Sequence, residues 1–331
     1  MRLFALTCFG LVLNTLWSCS NGNQNQTSKE PVQASLVIQG NQYAKDGLLR
    51  EAVESYKKAL SKDPSDLTAR RNLGIVLVKA GDANGAINNL EASIKNFEEN
   101  FDTNFFLGEA YRAEDKYGEA IYRYKKALKI KPNEPRAMKS LAWSYFKIRF
   151  YSEAISVASK LQQKNPSDEQ ALMILARIQL KLKRENEALA LLKRGLERAT
   201  PTSRPYFQSV MAEVYAAQGK QQEALDTWQQ ALKTQPMLAG ALMGTGRALL
   251  ELGRDKEAVD YLERAVRIKP KMNEGHYWLA RSLEPSDPTR ALRYFNFFKK
   301  TAATDPEFVE YVLDAKKRSA SIQNRSKLDM N

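Results

Sequence analysis

The stretch FDTNFFLGEAYRAEDKYGEAIYRYKKALKIKPNE, residues 101–134, predicts the local structure that the rest of the chain repeats. Apolar residues recur at spacings of three and four on both sides of a polar turn at residues 114–116, which is typical of two amphipathic helices. We expect these helices over residues 102–113 and 117–130, with Pro132 ending the second one. Gly108 and Ala120 are small enough for the two helix backbones to approach closely there. The stretch therefore predicts a helix-turn-helix unit.

The same unit recurs along the chain with a step of thirty-four residues and one two-residue insertion near Pro201–Pro205. The small residue of the first helix recurs at Gly40, Gly74, Gly108, Ala142, Ala176, Ala212, Gly246 and Ala280. The small residue of the second helix recurs at Ala52, Ala86, Ala120, Ala154, Ala188, Ala224, Ala258 and, one residue early, Ala291. One helix pair cannot bury a core by itself, so three or more must stack on one another. We therefore expect an all-α array of about eight helix pairs over residues 33–303.

The residues that recur in each helix pair resemble the tetratricopeptide repeat family. In the first pair they are Gly40, Tyr43, Ala52, Tyr56, Ala59 and Pro64. The resemblance implies a right-handed α-solenoid with one concave face, and a non-enzymatic scaffold that binds other proteins. After the array, the apolar residues of segment 304–318 and the basic run Lys316-Lys317-Arg318 favour a capping helix. The tail, residues 319–331, is expected to be disordered.

The N-terminal residues have the composition of a targeting segment. Arg2 is followed by an uncharged, mostly apolar run up to Cys19. That run is shorter than the ~20 residues of a membrane span and fits a secretory signal peptide over residues 1–18. The polar segment that follows, up to residue 32, has the composition of a flexible tether.

Leu16, Ser18 and Cys19 resemble a bacterial lipobox, in which the chain is cut before a cysteine that carries acyl chains such as palmitate. The resemblance implies lipidation of Cys19 and a lipid-anchored protein of the cell envelope, sorted to the outer membrane and facing the periplasm. The alternatives are an ordinary signal peptide cut nearby, giving a secreted or periplasmic protein, or an uncleaved anchor. Export would also argue against nucleic acid as a partner.

The composition gives little support to catalysis. Both cysteines of the chain, Cys8 and Cys19, lie in the N-terminal segment, so the array can have no cysteine-based zinc site. His276 is the single histidine, and no phosphate-binding loop or nucleophile motif accompanies it. We therefore expect a protein without enzymatic activity and without a cofactor.

The net charge of +13 favours acidic partners, namely acidic peptides, anionic glycans, an anionic membrane or nucleic acid. In the resembled family, fixed positions of each first helix face the concave side. Carried over to pairs two to five, these positions supply the basic residues Arg71, Lys79, Arg112, Arg136, Lys139, Lys147, Arg177 and Lys181, opposed only by Asp102 and Glu109. They also supply the aromatic residues Phe105, Phe106, Trp143 and Phe146.

Arginine beside aromatic anchors is typical of peptide recognition, so these positions predict a basic, aromatic groove that binds a segment of an envelope protein. Two alternatives remain open. A register shifted by one residue would place the aromatic residues in the core between helices. The second alternative is that the positive face binds an anionic glycan or lipopolysaccharide.

Overall fold

The computed structural model describes residues 32–328 of the chain, with side chains described over residues 34–325. This range contains seventeen α-helices and one short 3-10 turn, and no β-strand. The predicted signal peptide, Cys19 and all but the last residue of the tether lie outside the described residues.

Sixteen helices form eight consecutive pairs, numbered here in chain order, and α17 follows them. The pairs are α1 (Val32–Lys45) with α2 (Leu49–Lys62), α3 (Leu67–Ala80) with α4 (Ala83–Phe97), α5 (Phe101–Ala113) with α6 (Tyr117–Ile130), α7 (Pro135–Lys147) with α8 (Tyr151–Lys164), α9 (Glu169–Lys181) with α10 (Glu185–Arg198), α11 (Arg204–Ala217) with α12 (Gln221–Thr234), α13 (Ala239–Glu251) with α14 (Asp255–Ile268), and α15 (Asn273–Leu283) with α16 (Pro288–Thr301). The 3-10 turn Pro306–Phe308 leads into α17 (Val309–Leu328). The predicted fold class, an α-solenoid of eight helix pairs with a C-terminal capping helix, is confirmed.

The described residues divide into two compact bodies, residues 32–66 and residues 67–328. The N-terminal body is pair 1, in which Tyr56 is buried. A Cβ atom added at Gly40 would lie 2.7 Å from Cε1 of Tyr56, so the glycine makes room for the tyrosine ring. The Tyr56 hydroxyl donates a hydrogen bond of 2.7 Å to Oδ1 of Asn41.

The main body, residues 67–328, contains pairs 2 to 8 and α17. Each helix packs on its pair partner and on the next helix along the chain. The first helices of consecutive pairs, α3, α5, α7, α9, α11, α13 and α15, also contact one another. Within residues 67–328, the second helices of consecutive pairs lie farther apart. The first helices therefore line the inner side of this body.

Pair 3 shows why the small residues recur. A Cβ atom at Gly108 would lie 2.6 Å from Cε1 of Tyr124, a residue of α6 that is fully buried. Ala120 and Ala127 on the same helix are fully buried as well. Gly108 thus accepts the ring of Tyr124, whereas the sequence had suggested that it brings two helix backbones together.

The turn inside each of the first seven pairs has one residue in the left-handed region, with φ between 56° and 87°. These residues are Gly47, Gly81, Asp115, Arg149, Lys183, Gly219 and Gly253. Glycine adopts this conformation without steric cost, whereas a residue with a Cβ atom does not. Three consecutive pairs therefore keep a polar or charged side chain at a position where glycine would be favoured.

Gly81→Ala is expected to lower the free energy of unfolding by about 1 kcal/mol, because the added Cβ disfavours the left-handed conformation. No heavy atom lies within 4 Å of that Cβ, so the cost would be conformational. Lys183→Gly is the matched reverse change, and we expect it to be neutral or slightly stabilising. Urea denaturation of the two variants measures both values, and an unchanged stability of Gly81→Ala would contradict this account.

The C-terminal end differs from the prediction. The capping helix was expected to end at residue 318 and the tail to be disordered, but α17 continues to Leu328, so the prediction of disorder is wrong for residues 319–328. Val312, Ala315, Ser319 and Ile322 share one buried stripe, which extends past the expected end. The basic run had been interpreted as a helix terminus. Arg318 instead donates hydrogen bonds to Glu284 (2.8 Å) and Asp314 (2.7 Å) in the middle of the helix.

Candidate partner-binding groove

A pocket of about 710 Å³ opens on the first helices α5, α7 and α9 of the main body. We call it the central pocket. It is lined by Phe105, Arg112, Glu134, Pro135, Arg136, Lys139, Ser140, Trp143, Gln170, Met173 and Ile174. Five of the twelve predicted groove residues come together there, namely Phe105, Arg112, Arg136, Lys139 and Trp143.

The aromatic residues of the pocket differ in exposure. Trp143 is half-buried, and its ring centroid lies 5.3 Å from that of Phe146. Phe105 is only 8% exposed, and its ring stacks on Phe101 at 5.8 Å. Phe105 therefore belongs mainly to the core between helices and presents only part of its ring to the pocket. This is the position that a register shifted by one residue had predicted for the aromatic residues. Trp143 is the accessible aromatic residue of the pocket.

Carboxylates already pair with the cations of the central pocket. Nη2 of Arg136 lies 2.8 Å from Oδ1 of Asp102, and Nζ of Lys139 lies 2.9 Å from Oδ2 of Asp168. Asp168 is not among the predicted groove residues, because it precedes α9, where its side chain caps the helix by accepting a hydrogen bond from the Ala171 amide. The central pocket is therefore nearly balanced in charge, whereas the sequence had predicted a basic groove.

Glu109 links the helices α5, α6 and α7 beside the pocket through its carboxylate. Its carboxylate accepts hydrogen bonds from Nη2 of Arg112, the Tyr124 hydroxyl and the Ser140 hydroxyl, each at 2.6 Å. Burial alone would raise the pKa of Glu109, but these bonds and the charge of Arg112 outweigh it and lower the pKa. Nε of Arg112 is buried and has no acceptor among the described residues. Arg112 is thus held in the pocket wall by its ion pair with Glu109.

The remaining predicted residues lie along the same inner side but outside the central pocket. Nε of Arg71 donates to the Thr103 hydroxyl at 2.9 Å, and Nζ of Lys79 lies 5.7 Å from the ring centroid of Phe106. Nζ of Lys147 lies 5.7 Å from the ring centroid of Tyr117.

Two further predicted cations pair with acids from other parts of the main body. Nη1 of Arg177 lies 3.3 Å from Oε2 of Glu213, and Lys181 pairs with Glu307. Arg177 and Glu213 lie on the first helices of consecutive pairs, α9 and α11, so they are one repeat apart. The partner of Lys181, by contrast, follows the last pair of the array. The sequence pattern therefore supplied the cations of the groove but few of their acidic partners.

His276 occupies a packed position in pair 8. It is 6% exposed, Nε2 lies 2.7 Å from the Pro270 carbonyl oxygen, and the ring centroid lies 4.3 Å from that of Phe297. In the described part of the chain, histidine, cysteine and acidic side chains form no group suited to a metal ion. Among the helices of residues 32–328, none is both long and apolar enough to cross a membrane.

Comparison of the sequence with known families identifies repeats over much of the array. The family described as tetratricopeptide repeat matches residues 73–135 and 210–273, and the family described as TPR repeat matches residues 40–81. The family of anaphase-promoting complex, cyclosome, subunit 3, matches residues 113–195. No curated protein sequence matches the chain.

Several solved structures share the fold. The APC/C hetero-tetramer Cut9-Hcn1 aligns at a TM-score of 0.59 with 17% identity, over 81% of this chain and 52% of that chain. Yeast Tom70 aligns at 0.60 with 18% identity, over 92% of this chain and 67% of that chain. A tetratricopeptide repeat protein from Parabacteroides merdae aligns at 0.50 with 15% identity, over 86% of this chain and 98% of that chain. The chain thus spans about half of the first of these proteins.

At these identities the alignments establish the fold alone. The models of the tetratricopeptide and TPR repeat families match residues 40–135 and 210–273, and the helix pairs there have the fold expected of such repeats.

Proposed function

We propose that this protein is a non-enzymatic scaffold that binds a short segment of a partner protein in the central pocket. The observation that carries the proposal is the pocket itself, in which an accessible tryptophan and Met173 adjoin Arg136, Lys139 and Ser140. Aromatic and apolar anchors next to a few polar groups are typical of peptide recognition.

The partner segment is expected to combine a large apolar side chain with a carboxylate. Arg136 and Asp102 are 45% and 42% exposed, and such surface ion pairs stabilise a protein by only about 0–1 kcal/mol. A partner carboxylate can therefore exchange for Asp102 at little cost. The pocket would select among partner segments mainly by the apolar side chain that fills the space beside Trp143, because the paired cations add little net charge.

Trp143→Ala and Lys139→Gln are each expected to weaken binding of a peptide selected from a display library by at least about tenfold, or ~1.4 kcal/mol. The physical reason is the loss of the aromatic anchor in the first variant and of the charge partner in the second. Neutral replacements are preferred to charge reversal, because a glutamate at position 139 would face Asp168. Fluorescence anisotropy measures the affinity.

Tyr122→Ala and Lys125→Gln are matched controls, since both residues are exposed on α6 and line no part of the central pocket. They should leave the affinity unchanged. Equal losses in the control and pocket variants would reject the pocket as the binding site. A salt titration tests the alternative: binding of a sulfated glycan should collapse at moderate salt, whereas an aromatic-anchored peptide complex should persist.

The proposed location is the bacterial envelope, with Cys19 carrying the lipid anchor. Support comes from the sequence of residues 1–19 alone. Cys19→Ala is expected to release the protein from membranes and to abolish labelling by a fatty-acid analogue, whereas Cys8→Ala should change neither. Membrane association that survives Cys19→Ala would contradict the anchor.

A further inference from the structure

One contact in the main body joins residues that are very far apart along the chain. Nη2 of Arg149 lies 3.1 Å from Oδ1 of Asp305 and 3.4 Å from Oε2 of Glu307, and Lys181 also pairs with Glu307. The sequence separations are 126 to 158 residues. Successive helices of the array otherwise pack on their near neighbours in the chain. The acidic turn at residues 305–307 thus reaches back to pairs 4 and 5.

Arg149 and Lys181 stand on the same edge of the array. Lys181 is the last residue of α9, and Arg149 lies in the turn after α7. The equivalent positions in these two pairs are Lys147 and Lys183, so this edge carries four cations. In pairs 6 and 7 the corresponding residues are Ala217, Gly219, Glu251 and Gly253. Among the first seven pairs, only pairs 4 and 5 have a basic residue at both positions, since pairs 1 and 2 have a lysine, Lys45 and Lys79, at the first position alone.

The fold explains only half of these cations. Lys147 and Lys181 end helices, where the helix dipole favours positive charge. Arg149 and Lys183 lie beyond the helix ends, and both have a positive φ where four other pairs have glycine. A strained residue that the turn does not require points to a role outside folding. For Arg149, the visible role is to hold two carboxylates.

We propose that Arg149 and Lys181 form a binding site for acidic peptide segments, which the chain's own Asp305 and Glu307 occupy in the absence of a partner. The inference extends the proposed function, because a partner bound at the central pocket could place a second, acidic segment on this site by displacing residues 305–307. Each of the four side chains is 42–43% exposed, so the ion pairs are weak and screened by salt. Such contacts are suited to exchange between internal and external carboxylates.

The displacement predicts faster hydrogen exchange at the amides of residues 305–313 when the internal contact is lost. In the full chain, Arg149→Gly, Lys181→Gln and the double variant Asp305→Asn with Glu307→Gln should each accelerate this exchange at least threefold. Arg149→Gly also relieves the left-handed strain, so the variant should remain folded. Lys183→Gly is the matched control at the position of pair 5 that is equivalent to Arg149, and it should leave the exchange unchanged.

Binding is tested with a labelled synthetic peptide, AATDPEFVEYVL, which copies residues 302–313. It should bind the Asp305→Asn, Glu307→Gln chain at least tenfold more tightly than the native chain, whose site is occupied. Adding Arg149→Gly and Lys181→Gln to that chain should abolish the gain. The same peptide with asparagine and glutamine in place of its Asp305 and Glu307 equivalents should show no gain.

The proposal is overturned if the exchange of residues 305–313 is unchanged in the Arg149 and Lys181 variants, or if vacating the site does not tighten peptide binding. Trp143→Ala separates this result from the proposed function. That variant should lose the peptide selected for the central pocket yet retain binding of the residue 302–313 peptide. Either proposal can therefore fail while the other stands.

Discussion

Glu109→Ala is expected to lower the free energy of unfolding by about 2–3 kcal/mol, because it removes the charged acceptor that three hydrogen bonds share in a partly buried ion pair. The side chain of Glu109 is 15% exposed and accepts hydrogen bonds from Arg112, Tyr124 and Ser140. Without it, three donors of α5, α6 and α7 lose their acceptor. Hydrogen exchange should show the loss in pairs 3 and 4, since the units of a repeat array respond locally.

A double variant distinguishes the ion pair from simple loss of packing. Glu109→Ala combined with Arg112→Ala should destabilise the protein by less than the sum of the two single changes, since no uncompensated charge remains. Additive losses would show that the pair is not coupled. The double variant would also remove the Arg112 side chain from the lining of the central pocket, so peptide affinity should fall even if stability is partly recovered.

The effect of Glu109 should depend on pH in a defined direction. Its pKa is lower in the folded protein than in the unfolded chain, so its stabilising contribution is complete above the unfolded value of about 4.3. That contribution is lost as the pH falls through the lower, folded pKa. The stability difference between the native chain and Glu109→Gln should therefore be largest near pH 7 and should shrink in acid. A difference that grows in acid would contradict the assignment.

Gly195→Ala is expected to lower the free energy of unfolding by about 1–3 kcal/mol through overpacking. A Cβ atom at Gly195 would lie 2.1 Å from Cε1 and 2.6 Å from Cζ of Phe207, which is 1% exposed and cannot move into solvent. Alanine is favoured over glycine inside a helix by about 1 kcal/mol, so a net loss would show that the clash dominates. Urea denaturation measures the change.

Gly118→Ala is the matched control for Gly195→Ala. Gly118 also lies in a second helix, is exposed, and has no heavy atom within 4 Å of an added Cβ. Its replacement should be neutral or stabilise the protein by up to about 1 kcal/mol. Similar destabilisation in both variants would point to helix propensity or chain flexibility, and not to the contact with Phe207.

The site of Gly195 also shows a second kind of contact between a glycine and an aromatic ring, which joins consecutive pairs. In pairs 1 and 3 a glycine of the first helix receives a tyrosine of its own second helix, as Gly108 receives Tyr124. Gly195 instead belongs to α10 and receives Phe207 from α11 of the following pair. Gly244 of α13 likewise receives Trp228 from α12 of the preceding pair, and the sequence did not reveal these contacts between pairs.

The sequence by itself determined the helix pairs, because a thirty-four-residue period in small residues leaves one solution for stacking the units. It placed α6 correctly at residues 117–130, and α5 to within one residue. It also located cations such as Arg136 and Lys139 on the inner helices, since their position within each pair follows from the same period.

Only the tertiary structure decided what those side chains contact. Rotation about the helix axis buries Phe105 and leaves Trp143 accessible, although both occupy inner helices. Asp168 caps α9 and also neutralises Lys139, and Asp305 and Glu307 reach Arg149 from more than 150 residues away. A periodic pattern specifies neighbours one step apart, whereas these contacts depend on how successive pairs curve the chain back toward itself.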